Sequence, residues 1–292
     1  CSLLLSVFLL LLTSALNAQD VYQSDRPGHT IPASTLPEGQ VSLEAGFSWT
    51  HAEYSPILPT SFARTWTIYS HDHFDLPEGL LRIGLSEGFE LRLSSGYSRR
   101  SWEFDPNFFD GNGVDDPVRS NLNAGMRYLN VGIKSALRAE QGPFPALALV
   151  AGLSMPQTGT SVFQVDALAP DLALAFSHTL SPVVSLGYHA GVRWDGSVVT
   201  AIGFYAANLT VSIHRDLQGF VEVYGELPGY APAMHMAGAG LAWSLTPDLI
   251  LDASAGIALN TPGETESNPK WTTVLAPDLT AGIGASWRLH IW

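Results

Sequence analysis

Cysteine is all but missing from this chain, which has one in 292 residues, at Cys1. That excludes a disulfide framework and thiolate metal sites, and it suits a protein that crosses an oxidising compartment unfolded. Charge is also scarce: Asp, Glu, Lys and Arg make up 14% of the residues, against about a quarter in soluble domains. Positive charge is the scarcer sign, with 14 Lys and Arg against 27 Asp and Glu and a net charge of -13, so the basic patches that nucleic acid needs are missing. After residue 18 no apolar run reaches the about 20 residues of a spanning helix.

What is present is alternation at period two. The opening run Leu3 to Leu12, followed by Thr13, Ser14 and a small-residue boundary at Ala18, reads as a signal peptide over residues 1–18, cleaved between Ala18 and Gln19. The missing basic start and initial methionine indicate a sequence truncated at its beginning. Residues 19–38, polar and proline-punctuated, read as a periplasmic lead-in. From Gly39 the pattern begins: Val41, Leu43, Ala45, Phe47 and Trp49 on one face, Ser42, Glu44, Gly46 and Ser48 on the other. It recurs in Leu81, Ile83 and Leu85, then after Ser86-Glu87-Gly88 in Phe89, Leu91 and Leu93, which predicts a hairpin. A strand from Asn121 to Ala139 slips phase near Tyr128, as a bulge would make it do. Further strands follow to about residue 291, giving about twelve in all, with residues 62–78 open between strand and loop.

Connections near 87, 141, 181, 217 and 247 are short, while 51–63, 102–119, 157–168 and 260–274 are longer and polar. Alternate connections fall on opposite sides of a membrane, the short ones in the periplasm. Trp49, Tyr97, Trp194, Trp243 and Trp287 lie toward strand ends, where interfacial girdles form. A secreted β-sandwich also alternates, but its strands need not be this long or oppose leucine and tryptophan to glycine and serine. The expectation is an all-β chain: a transmembrane antiparallel up-and-down β-barrel of about 12 strands over residues 39–292, in the bacterial outer membrane.

Several segments add detail: Ser24-Asp25-Arg26-Pro27-Gly28 ahead of Leu36-Pro37-Glu38-Gly39-Gln40-Val41-Ser42-Leu43-Glu44-Ala45-Gly46, then Gly79-Leu80-Leu81-Arg82-Ile83-Gly84-Leu85 and Phe89-Glu90-Leu91-Arg92-Leu93. With Val131-Gly132-Ile133-Lys134, Leu153-Ser154-Met155-Pro156-Gln157-Thr158-Gly159, Val223-Tyr224-Gly225, Leu249-Ile250-Leu251-Asp252 and Gly284-Ala285-Ser286-Trp287-Arg288, they cover nearly all of residues 19–292. Together they resemble the meta-pathway of phenol degradation family of outer-membrane proteins. The resemblance implies a twelve-stranded, transporter-like barrel that moves small hydrophobic or aromatic compounds inward.

The alternation count points Glu44, Arg82, Glu90, Arg92, Lys134, Glu222, Asp252 and Arg288 inward, with Arg138 and Glu226, and sets Arg82 near Arg92 with Glu90 diagonal to both. Two readings stand: a ring that selects solutes by charge, or a salt-bridge network that fills a narrow barrel, the second favoured because interior ion pairs are common in barrels of this size. Inward glycines and serines, Gly46, Ser94, Gly132, Gly152, Gly238, Gly240, Gly256, Gly282 and Gly284 among them, leave room for a narrow passage that loops or the lead-in could plug. His71 and His73 share one strand face, but two ligands make no metal site. Ser70-His71 and Ser177-His178 place serine and histidine on opposite faces, and no nucleophile elbow, phosphate loop or HExxH appears. The acidic loop Asp105 to Asp116 lacks the later glutamate of a calcium loop.

The functional expectation is therefore an outer-membrane channel or transporter for passive uptake of small organic solutes, aromatic or hydrophobic ones included. The alternative is a structural or adhesive barrel without transport. No enzyme activity, catalytic residue, metal or cofactor is expected. The expected partners are a small-molecule solute, outer-membrane lipid and the barrel assembly machinery, with no nucleic acid.

Overall fold

The computed structural model describes residues 22–54, 57–59, 64–107, 119–229, 233–260 and 277–291. The expected signal peptide lies outside them. They form strands β1 (Gln40–Tyr54), β2 (Ile57–Pro59), β3 (Arg64–Ser86), β4 (Phe89–Asn107), β5 (Arg119–Met126), β6 (Asn130–Arg138) and β7 (Ala146–Ser154). The second half contributes β8 (Ala169–Ser181), β9 (Val184–Arg193), β10 (Ile202–His214), β11 (Leu217–Pro228), β12 (Met234–Thr246), β13 (Leu249–Ala258) and β14 (Leu279–His290).

All neighbours are antiparallel, and β1 pairs with β14 from Gln40 opposite His290 to His51 opposite Leu279. With β1 also bonded to β3 and β3 to β4, the sheet closes on itself. β5 and β6 lie end to end along β4, and β2 only extends β3, so twelve strands make the wall. Closure matters because hydrocarbon offers no partner to an unpaired amide or carbonyl. The phase slip near Tyr128 is the gap between β5 and β6. There the Tyr128 amide donates to Phe163 O and the Leu129 amide to Thr158 Oγ1, both from the connection after β7.

The apolar face is the exposed one. Leu43, Leu172, Val221, Leu241, Leu251, Ile257, Ile283 and Trp287 stand open on the outside, while Ser42, Glu44, Arg82, Glu90 and Lys134 are buried within. This inversion of a soluble protein follows from lipid outside and polar filling inside. Trp243 and Trp287 ring the end with the short turns, and Trp49 and Tyr97 lie toward the other end. Leu43 opposite Trp287 and Trp49 opposite Ala281 are six residues apart on β1, roughly 20 Å along the strand and close to the height of a bilayer's apolar band. Trp194 lies just past β9, its indole N–H donating to Val199 O within the connection to β10.

Two expectations about loops change. Residues 51–54 and 102–107 are strand, and so are residues 64–78, because β1, β3 and β4 stay paired far beyond the bilayer's requirement. β3 has 23 residues and β4 has 19, against the about 10 that a tilted spanning strand needs. The sheet projects on the long-connection side as a paired extension.

If the outward face meets lipid, Ile283→Arg should lower the folding free energy by about 2–4 kcal/mol in urea titrations in phospholipid vesicles, the cost of a cation near the bilayer midplane.

Candidate functional site: a lumen filled by the lead-in

The lead-in does not hang free below the barrel. Residues 22–38 turn into the lumen and fill the half nearest the short turns, as their partners on every side of the wall show. The segment has no regular structure, so its amides find side chains. The Asp25 amide donates to Glu44 at 3.1 Å, the His29 amide to Glu222 at 2.9 Å, the Ile31 amide to His189 Nδ1 at 3.1 Å, the Ala33 amide to Ser177 Oγ at 2.8 Å and the Leu36 amide to Glu90 at 2.7 Å. Irregular backbone at membrane depth is stable only when satisfied in this way.

Its centre is Asp25. The carboxylate faces Arg82 at 3.3 Å, Arg92 at 2.5 Å and Lys134 at 3.4 Å, three cations from β3, β4 and β6. Arg82 also holds Glu44 at 3.0 Å and Glu90 at 2.9 Å, and Arg92 holds Glu90 at 2.9 Å. Glu44, Arg82, Glu90 and Lys134 are at most 1% exposed. The expected geometry holds: Arg82 lies directly opposite Arg92, and Glu90 serves both. Adjacent guanidinium groups tolerate each other because carboxylates lie between them.

On the far wall the lead-in meets two carboxylates. Arg26 reaches Asp252 at 3.2 Å, and His29 meets Glu222 at 3.1 Å while stacking on Tyr224 with ring centroids 3.6 Å apart. Arg288 lies over the Tyr22 ring at 5.3 Å and pairs with Asp248 at 2.8 Å. Tyr22 hydrogen-bonds Ser42, and Ser24 donates to Glu44 at 2.9 Å. Eight of the ten residues that the alternation points inward thus engage the lead-in or one another. Arg138 departs from its expected place: past a register shift at Ala136 it leaves the inner row and donates to Pro145 O at the rim. Glu226 pairs with Arg193 at 2.6 Å, farther from the short turns.

Asp25, Arg26 and His29 escape the sequence reading, although a signal for them exists. Glu222 lies opposite Asn208 and Gly238, and Asp252 opposite Ala242 and Gly284, so neither carboxylate has a cation across the strand. An inward carboxylate without a neighbour needs a counter-charge from outside the wall. The inward glycines also read differently. A side chain at Gly46 or Gly284 would occupy the space of the Arg26 guanidinium, and one at Gly84 would strike the backbone of Pro37. Gly46, Gly84 and Gly284 make room for the lead-in, whereas Gly132, Gly152, Gly238, Gly240, Gly256 and Gly282 face atoms of the wall.

A cleft of about 280 Å³ remains beside the lead-in, lined by Pro27, Thr30, Ser177, Asn208 and Phe220. Toward the long connections the wall turns apolar: Ile31 and Phe204 pack on Val150, Ala173 and Ala175, and Met234 and Ala258 on Ala206, Tyr224 and Met236. His71 and His73 share the inward row, and among the described residues no three His, Cys, Asp or Glu side chains cluster to hold a metal. Asp105 to Asp116 falls where side chains are outside the description.

A family model described as "Putative MetA-pathway of phenol degradation" matches residues 24–268, from the Asp25 motif through β13. The chain belongs to this family. Among solved structures it is similar to an outer membrane channel from Pseudomonas putida F1 at 12% identity and TM-score 0.53, covering 90% of this chain and 99% of that one. It is also similar to the transport unit of the autotransporter AIDA-I from Escherichia coli, at 8% identity and TM-score 0.52, covering 86% and 90%. No curated protein matches the chain in sequence. The family and these folds agree with the inverted burial: this is a barrel of the bacterial outer membrane.

Removing the guanidinium with Arg82→Met takes from buried Glu44 its one cation among the described residues, and one cation each from Asp25 and Glu90. It should cost about 3–5 kcal/mol of folding free energy in urea titrations, as losing one partner of a buried pair does.

Proposed function

We propose that the chain is a passive, energy-independent channel for small apolar or aromatic organic solutes, closed at rest by its own lead-in. The observation that carries this is the division of the lumen: Phe204, Ala206, Met234 and Met236 lie on the long-connection side of a level closed by ion pairs. A water-filled porin needs a polar wall throughout. A solute that prefers Phe204 and Met236 to water gains from the apolar sector, while hydrated ions meet the plug. The family description and the neighbour named as an outer membrane channel support the same reading.

On this reading the short turns face the periplasm and the paired extension of β1, β3 and β4 faces outside, with the barrel assembly machinery inserting the chain and lipid surrounding it. Glu44, Arg82, Glu90, Arg92, Lys134, Glu222, Asp252 and Arg288 act as anchors of the plug, not as a charge filter for a solute stream. Catalysis has no support, because Ser70 and His71 point to opposite sides of β3 and Ser177 and His178 to opposite sides of β8. The extension, more than half of β3, favours a second reading in which an external surface role accompanies or replaces transport.

Two measurements test the channel. Cells expressing the protein should take up naphthalene faster than cells without it, and equal rates would sink the proposal. In planar bilayers the wild type should conduct poorly, and the double change Asp25→Ala with Arg26→Ala, which unpins the lead-in on both sides, should raise single-channel conductance several-fold.

A further inference from the structure

The row of inward residues that holds Glu90 and Arg92 continues along β4 to Ser98, Arg100 and Trp102, beyond the level of the plug and toward the long connections. Register places Arg100 opposite His73 and Trp102 opposite His71 on β3. The His71 and Trp102 rings stack with centroids 4.2 Å apart and 21° between planes. The buried Phe163 comes in from the connection between β7 and β8, and the Arg100 guanidinium lies 5.5 Å from its ring.

Arg100 differs from the other lumen arginines. Arg82, Arg92, Arg127 and Arg193 each hold a carboxylate within 3.4 Å, whereas among the described residues Arg100 holds none. The acid at this level, Asp75, is already engaged by His73 at 3.2 Å, Arg127 at 3.4 Å and the Ser98 hydroxyl. Arg100 Nε and His71 Nε2 are shielded from solvent with no hydrogen-bond partner among the described residues. A half-buried guanidinium that holds no carboxylate at ion-pair distance is costly, and a carboxylate met edge-on is the anion its planar fork fits best. With an indole, an imidazole and a phenyl ring around it, the rest of such a ligand is a flat ring.

We infer that the mouth of the lumen holds a binding site for a small aromatic carboxylate, with Arg100 taking the carboxylate and Trp102, His71 and Phe163 enclosing the ring. This rests on the channel reading for its purpose, as a capture point ahead of the apolar sector, but binding is measured apart from transport. Inorganic anions lack the ring and neutral arenes lack the charge, so both halves of the site are needed.

The test is calorimetric titration of the full chain in detergent with benzoate and, separately, toluene and inorganic phosphate. Benzoate should bind the wild type in preference to phosphate. Arg100→Gln and Trp102→Leu should each weaken benzoate about tenfold or more. Arg100→Lys should weaken it less than Arg100→Gln, toluene should bind the wild type and Arg100→Gln alike, and Arg215→Gln at the opposite rim should change nothing. Equal benzoate affinity in the wild type and Arg100→Gln overturns the assignment. So does a lowered urea midpoint in Arg100→Gln at unchanged benzoate affinity, which would make Arg100 an anchor for the acidic segment 105–116. If benzoate fails to bind while naphthalene still enters cells, the site falls and the channel stands. If benzoate binding depends on Arg100 but uptake does not change on expression, the site stands and the channel falls.

Discussion

Charge inside a narrow tube must be neutralised at hydrogen-bond distance, because neither lipid nor a confined lumen hydrates it as bulk water does. That constraint organises the interior. Arg82, Arg92 and Lys134 bring three positive charges to one side of the wall, and Glu44 with Glu90 cannot balance them alone. Asp25 completes the set. Opposite, Asp252 takes its cation from Arg26, and Glu222 takes hydrogen bonds from the His29 amide and ring. Five residues of the lead-in, Asp25 to His29, thus carry the complement of two oppositely charged walls. Buried pairs of this kind contribute little net stability, but they specify one seating sharply.

The wall was legible from alternation because a sheet between lipid and lumen repeats every two residues whatever its neighbours are. Even the break at Tyr128 and the Arg82–Arg92 pairing follow from counting along strands. That the lead-in could plug the passage was open from the sequence, but its seating was not legible. Residues 22–38 have no period, and their partners lie far away in sequence: Arg26 meets Asp252 and Ser24 meets Ser286. The length of β3 and β4 was also hidden, since pairing beyond the bilayer needs no apolar face and so leaves no alternation of hydrophobicity to read.

Polar and apolar filling divide the lumen along its axis. The short-turn half is crossed by ion pairs and amide bonds, while the half above offers Phe204, Tyr224, Met234 and Met236. The half toward the long connections also holds charge, in Arg193 with Glu226 and in Arg127 with Asp75.

The same arrangement orders the building of the molecule. The three cations around Asp25 come from β3, β4 and β6, all before the chain's midpoint, whereas Asp252 and Ser286 belong to the last strands. The lead-in can dock on the first hairpins while the remaining strands are unpaired, and β14 then seals against β1 with the core segment already in place. The contacts that seat Asp25 are thus complete within the first half of the chain, while those of Arg26 and Ser24 wait for the strands that close the ring.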